Sequence, residues 1–223
     1  MAKTTKKTEA EQAAKVVESV SKTEEFYNEH KKTIWTVIIA VLAVGVCILG
    51  YHKFIYQPKC AEAQEQVYHA EAAFREGNYE LALDGDDNNP GFAEVAATYG
   101  AKAGKAVYFY AGASALKLER YEDAVKWLKK YNGKDEILGA RAIACMGDAY
   151  CGMEEYAKAA AAFEKAAAFA DNVFAAQYLL KAGIAYEELG KNDKALACYE
   201  IIKDKYPQSI EGYDIDKYIN RMK

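Results

Sequence analysis

The chain has 223 residues, enough for one large domain or two small ones. Apolar residues make up 52% and aromatic residues 13%, so there is material for a packed core and wholesale disorder is excluded. A net charge of −4 speaks against nucleic-acid binding, and no nucleic acid is expected as a partner.

Residues 1–32 open in low-complexity polar sequence, Met-Ala-Lys-Thr-Thr-Lys-Lys-Thr, and hold seven Lys and six Glu. Val16, Val17, Val20 and Phe26 trace a short amphipathic pattern, and a partly flexible tail with transient helix is the preferred reading. Thr33 to Tyr51 then gives 19 residues without a charge. About 20 apolar residues in a helix cross the hydrocarbon core, so a single transmembrane helix is predicted over 33–56, with the lipid bilayer as partner of Thr33–Tyr51. Trp35, Tyr51 and Tyr56 sit where interfacial aromatics belong, and His30-Lys31-Lys32 and His52-Lys53 bracket the run.

The run begins too late and is too long for a cleaved leader, and no Ala-x-Ala site follows it. Cys47 is preceded by Val46, not by the small residue a lipid-attachment site wants. The segment therefore reads as a permanent anchor. Four lysines precede it within some 20 residues (Lys15, Lys22, Lys31, Lys32) and two follow it (Lys53, Lys59). That bias keeps the N-terminus in the cytoplasm and sends the C-terminal domain across. The cysteines pull the other way, because Cys60, Cys145, Cys151 and Cys198 would face an oxidising compartment. Cys145 and Cys151 lie six apart on one predicted helix, roughly 9 Å along its axis and too far for a disulfide. With Cys198 they read as small apolar core residues.

Gln57-Pro58 is expected to end the membrane helix, and residues 57–104 read as a degenerate first repeat with a connecting helix. Lys59 to Glu76 is helical in pattern. Gly77-Asn78-Tyr79-Glu80-Leu81-Ala82 copies the turns found downstream, until Asp84-Gly85 cuts the second helix off. In the acidic stretch that follows, Asp84, Asp86 and Asn88 alternate like the start of a calcium loop. Its sixth position is Asn89 rather than glycine, and its twelfth is Val95 rather than glutamate. An inter-repeat turn is the better reading, and no metal is expected. Phe92 to Tyr99 predicts a short helix.

Residues 105–209 hold a pattern in three copies: Gly112…Tyr121…Ala124…Leu128, Gly147…Tyr156…Ala159…Phe163 and Gly183…Asn192…Ala195…Tyr199. Each glycine stands 12 residues before its alanine, each large residue 4 after, and the alanines are 35 and 36 apart. A small residue recurring mid-helix costs about 1 kcal/mol each time. Close approach of two antiparallel helices is the reason that fits, with Leu128, Phe163 and Tyr199 filling the gap between units. Gly190 is placed as a helix C-cap. After Pro207, Ser209 caps a final helix, residues 210–223, with Ile215, Ile219 and Met222 on the face that would close the stack.

At these residues the chain resembles the tetratricopeptide repeat (TPR) family. The family's small-residue position falls on Gly112, Gly147 and Gly183, and its tyrosine position on Tyr150 and Tyr186, with Ala115 as the departure. Its second-helix alanine falls on Ala124, Ala159 and Ala195, and its closing proline on Pro207 alone. The resemblance implies an all-α protein: one N-terminal transmembrane helix, a TPR-like α-solenoid and a C-terminal capping helix.

It also implies a binding groove on the first helices, at Ala106, Phe109, Ala113 and Leu116, then Arg141, Ala144, Asp148 and Cys151, then Gln177, Leu180, Ile184 and Glu187. The sharpest candidates are Phe109, Leu116, Arg141, Asp148, Gln177, Leu180, Ile184 and Glu187. The same residues would equally serve to pack neighbouring helices. The Lys, Arg and Asn that clamp acidic C-terminal tails in this family are lacking.

No catalytic constellation, cofactor motif or Cys-x-x-Cys appears, and His30, His52 and His69 lie outside the repeats, so an enzyme is not expected. Tail, anchor and repeats in that order resemble single-pass, membrane-anchored bacterial TPR proteins such as the ancillary subunit of the Sec translocon. That resemblance implies an inner-membrane protein with a periplasmic scaffold, serving translocation or envelope assembly beside the translocon or envelope chaperones. The alternative is a self-assembling structural or cell-division scaffold, a homo-oligomer.

Overall fold

The structure is a computed structural model that describes the backbone of residues 2–222 and the side chains of residues 26–222 apart from Ala170. The chain divides into two compact units at Gln57.

The first unit is one helix, α1 (Ala2–Tyr51), ending in a π-helical turn at His52–Tyr56. No break in the helix falls at residue 32, where the sequence expects the tail to stop. The Ala, Glu and Lys before it are good helix formers, and passing from polar to apolar residues does not interrupt the i→i−4 bonds. The amphipathic residues Val16, Val17 and Val20 lie outside the described side chains. From Thr33 to Tyr51 the helix is long and apolar enough to cross a membrane, roughly 28 Å at 1.5 Å per residue. Its large apolar side chains, from Trp35 to Leu49, are exposed. The polar atoms at its start find partners: Thr36 Oγ1 donates to the Lys32 carbonyl at 2.7 Å, and Trp35 Nε1 to the Tyr27 hydroxyl at 3.2 Å.

Pro58, expected to stop the helix, is instead the second residue of α2 (Gln57–Arg75). The π-turn before it shifts the bonding, so that the Gln57 N–H donates to the His52 carbonyl. The carbonyls that a proline cannot serve lie within that wider turn.

The second unit is all-α, with no strand among the described residues. After α2 come α3 (Tyr79–Asp84), α4 (Phe92–Thr98) and a 3₁₀ turn at Gly100–Ala103. Three helix pairs follow: α5 (Ala106–Lys117) with α6 (Tyr121–Leu128), α7 (Glu136–Gly152) with α8 (Tyr156–Ala170), and α9 (Ala175–Glu188) with α10 (Asn192–Lys205). The last element is α11 (Ile210–Met222). From α5 on, each helix packs on its neighbour in the chain, which gives a solenoid-like stack.

One turn recurs within the units. The N–H of Gly190 bonds the Glu187 carbonyl and that of Lys191 the Tyr186 carbonyl, with Gly190 at φ +67. Glu119 and Glu154 hold the same place at φ 60, with the same pair of bonds. Gly77, between α2 and α3, repeats it at φ 81. The left-handed residue lets the chain reverse within about three residues while satisfying the last carbonyls of the first helix. Two of the four positions do this without the glycine that normally makes it cheap.

The repeated glycines are explained by contact, though not the contact expected. A Cβ on Gly112 would stand 2.5 Å from Leu128 Cγ, one on Gly147 2.5 Å from the Phe163 ring, and one on Gly183 2.2 Å from the Tyr199 ring. Each glycine is thus the floor under the large side chain of its own partner helix. Leu128, Phe163 and Tyr199 fill the interior of their units rather than the gap between units, and all three are fully buried. Between units the contact is different: a Cβ on Gly152 would meet the Tyr121 ring of the preceding pair at 2.3 Å.

Two apolar clusters form the core. One gathers α2 to α6 with Ala142 and Ala149 of α7, and the other runs from Ala140 to the last helix. Ile215 and Ile219 of α11 are buried and Met222 packs beside them, so α11 covers the open side of the final pair. Ser209 caps α11, its Oγ accepting from the Gly212 N–H at 3.0 Å. The acidic stretch is a turn: the Asp86 carboxylate accepts from the N–H groups of Asn88 and Asn89, both at 2.8 Å, and Asp84 pairs with Arg120 at 2.7 Å.

Candidate protein-binding site

The first helices of the pairs, α5, α7 and α9, carry the expected groove residues. On α7, Asp148 and Cys151 stand three residues apart and so share a face. On α9, Lys181, Ile184, Ala185 and Glu188 do the same. The two faces meet in a small cavity of about 120 Å³, closed by Tyr156 and Phe163 of α8. Lys181 Nζ donates to both Asp148 carboxylate oxygens, at 2.7 and 2.9 Å. Both side chains are about one-third exposed (35% and 33%), which limits the pair to roughly 1 kcal/mol of stability. Ile184 lies on the same cavity wall with its side chain exposed.

This arrangement sets a carboxylate on α7 against an ammonium group and an aliphatic side chain one turn apart on α9. The thiols nearby are poorly suited to nucleophilic work. Burial, helped by Asp148, pushes Cys145 up to about 11, and the same two causes raise Cys151. All five cysteines are free thiols. Among the described residues no group of three His, Cys, Asp or Glu is placed to hold a metal.

The other expected groove residues are dispersed. Arg141 and Gln177 are exposed on α7 and α9. Leu180 and Leu116 are half-buried against the two cores. Phe109 is buried, its ring edge-on to Tyr110 and Tyr131 at 5.5 and 6.3 Å, and takes part in packing instead. Ala144 is buried too. Glu187 is engaged elsewhere: it accepts from Arg221 of α11 at 2.6 and 2.7 Å and from the Tyr199 hydroxyl. Burial and that bond to Glu187 raise the Tyr199 phenol above the usual tyrosine range.

Lys181, Tyr156 and Glu188 are the residues that sequence reasoning missed. Lys181 lies one turn before Ile184 on the same face, and an opposite charge there, 33 residues after Asp148, is the signal that was available.

Residues 177–209 match the tetratricopeptide repeat model. The match covers α9 from Gln177, α10 and the closing turn to Ser209, hence the pair with the glycine cap and the proline. The two earlier pairs share its turn and its glycine floor. The tetratricopeptide repeat is typically a non-catalytic fold for protein–protein interaction. No curated protein matches the chain.

Proposed function

We propose that this protein is a single-pass scaffold of the bacterial inner membrane, anchored by Thr33–Tyr51, whose periplasmic tetratricopeptide domain holds client or partner proteins during translocation or envelope assembly. The observation that carries the binding role is exposed Ile184 beside the one-third-exposed Asp148–Lys181 pair. An aliphatic side chain left uncovered beside a partly exposed ion pair offers a partner an apolar contact with a polar rim. Gln177 and Arg141 extend it along the first helices. The anchor reading rests on the 19 uncharged residues and their exposed apolar side chains, and the orientation on the lysine bias.

The test is site-specific photo-crosslinking in native membranes. A benzophenone side chain at Ile184 is expected to capture a discrete protein, identified by mass spectrometry, and one at exposed Glu200 on α10 is not. Lys181→Met is expected to lower the Ile184 adduct. Equal capture at both positions would remove the groove. Capture of a second copy alone would favour the self-assembling scaffold. A protease added to spheroplasts should cut the C-terminal domain; an intact domain would overturn its placement.

A further inference from the structure

The cavity between α7 and α9 has a cause that the preceding junction makes visible. Where α6 meets α7, the Tyr121 ring lies against Gly152, and a Cβ there would stand 2.3 Å from it. One unit later, Tyr156 holds the place of Tyr121, three residues before the alanine of its helix. Glu188 holds the place of Gly152, five residues after the glycine of its helix. A side chain thus stands where the glycine admitted the ring. Tyr156 does not seal the junction, and a space of about 120 Å³ stays open. Small-molecule sites run to roughly 300–1,000 Å³, so this one has room for a single side chain.

The walls are apolar at Phe163, Ala185 and the exposed Ile184. The rim is acidic. Glu188 and Glu154, the latter in the turn between α7 and α8, are exposed and form no ion pair among the described residues. Lys181 on the α9 wall is already paired with Asp148. The charges that act on Cys151 and Tyr156 are Asp148, Lys181, Glu188 and Glu154, which leaves two negative charges uncompensated. On α8, Lys158 is paired with Glu155; Lys191 and Lys194, at the start of α10, act on neither group. Both α7 and α9 also lack a basic residue in their last turn, although the carbonyl end of a helix favours a cation. Glu187, one residue before Glu188, already holds such a cation: Arg221 gives it two bonds, at 2.6 and 2.7 Å, with the guanidinium 5.1 Å from the centre of the Tyr218 ring.

We infer that the cavity receives one lysine or arginine side chain of a partner protein, its methylene stem against Ile184, Ala185 and Phe163 and its charged end at Glu188 and Tyr156. A long cationic side chain lays its stem on apolar surface and keeps its tip at a polar rim. An aliphatic side chain would cover the Glu188 carboxylate without giving it a partner, and an acidic one would add a like charge. The inference rests on the reading of this groove as a protein-binding site, and adds the charge of the segment it takes.

The test uses the unmodified full chain in detergent with three biotinylated peptides. They differ only at a central residue, arginine, norleucine or glutamate, next to a leucine that carries a photoreactive diazirine. After irradiation, adducts on the chain are located by mass spectrometry. The arginine peptide is expected to label residues 148–188 about threefold or more above the norleucine peptide, with glutamate lowest. Glu188→Gln, an exchange at an exposed position, is expected to bring the arginine yield down to that of norleucine. Equal labelling by arginine and norleucine, or an arginine yield unchanged in Glu188→Gln, overturns the inference and leaves the groove standing. Labelling of this region by none of the three overturns the groove itself, and the inference with it.

Discussion

Gly147→Ala separates a glycine that packs from one that merely occurs in a helix. The new methyl would meet Phe163 at 2.5, 2.7 and 2.9 Å, whereas carbon atoms in ordinary contact stand about 3.5–4.0 Å apart. Phe163 is 1% exposed and packed in the core, so relief requires its ring to shift towards the small cavity it borders or the helices to part by about 1 Å. Overpacking of this kind costs about 1–3 kcal/mol. Replacing a mid-helix glycine by alanine returns about 1 kcal/mol through helix propensity. The net expectation is a loss of about 0–2 kcal/mol, a fall in Tm of up to several degrees at about 2–4 °C per kcal/mol. Urea and thermal unfolding of the full chain in detergent, followed by circular dichroism, measure it. Phe163→Leu removes the obstructing ring, so the double variant should lose less than the sum of the singles by about 1 kcal/mol or more. A Gly147→Ala protein more stable than wild type, or a coupling within about 0.5 kcal/mol of zero, would refute the glycine floor.

Glu154→Gly should stabilise by about 0.5–1 kcal/mol, because Glu154 holds φ 60 in the turn where Gly190 holds φ +67; a lower Tm than wild type would show that its side chain matters more than its backbone. Ser114 is fully buried in α5 and its Oγ finds no partner among the described residues, so Ser114→Ala should gain about 1 kcal/mol in urea unfolding, and a loss would reveal a hidden bond. Tyr186 is pushed up to about 12 by burial and its bond to Glu164, and Tyr199 is raised by burial and Glu187. Their folded-state pKa values exceed the unfolded value of about 10, so this contribution is complete below pH 10 and declines as the pH rises above it. Tyr199→Phe should flatten the fall of Tm between about pH 10 and 12; the same slope in both proteins would exclude it.

Much of the fold was legible because its signals are local or periodic. Nineteen uncharged residues make a helix long and apolar enough to cross a membrane, since the length of an apolar run is a property of the sequence alone. The pairing of helices followed from glycines and alanines that recur at one register, and a helix interior tolerates such a cost only where packing repeats it. Even so, the sequence misassigned what the glycines face. Spacing says that a small residue is needed, whereas the rotamers of Leu128, Phe163 and Tyr199 decide which atoms use the space.

The site was less legible for the same reason. Phe109 and Asp148 hold equivalent kinds of position in the pattern. Their exposure depends on neighbours far along the chain: Tyr131 encloses the first, and Lys181 meets the second from 33 residues away. Glu187 looked available until α11 brought Arg221 to it. Sequence by itself determined an all-helical chain with one long apolar segment and paired repeats, because hydrophobic period and small-residue register act within one or two helices. Tertiary structure alone decided which charges are spent on one another, as Glu187 on Arg221 and Asp148 on Lys181, and which apolar side chain, Ile184, stays uncovered beside them, because partial burial and ion pairing arise only where separate helices converge.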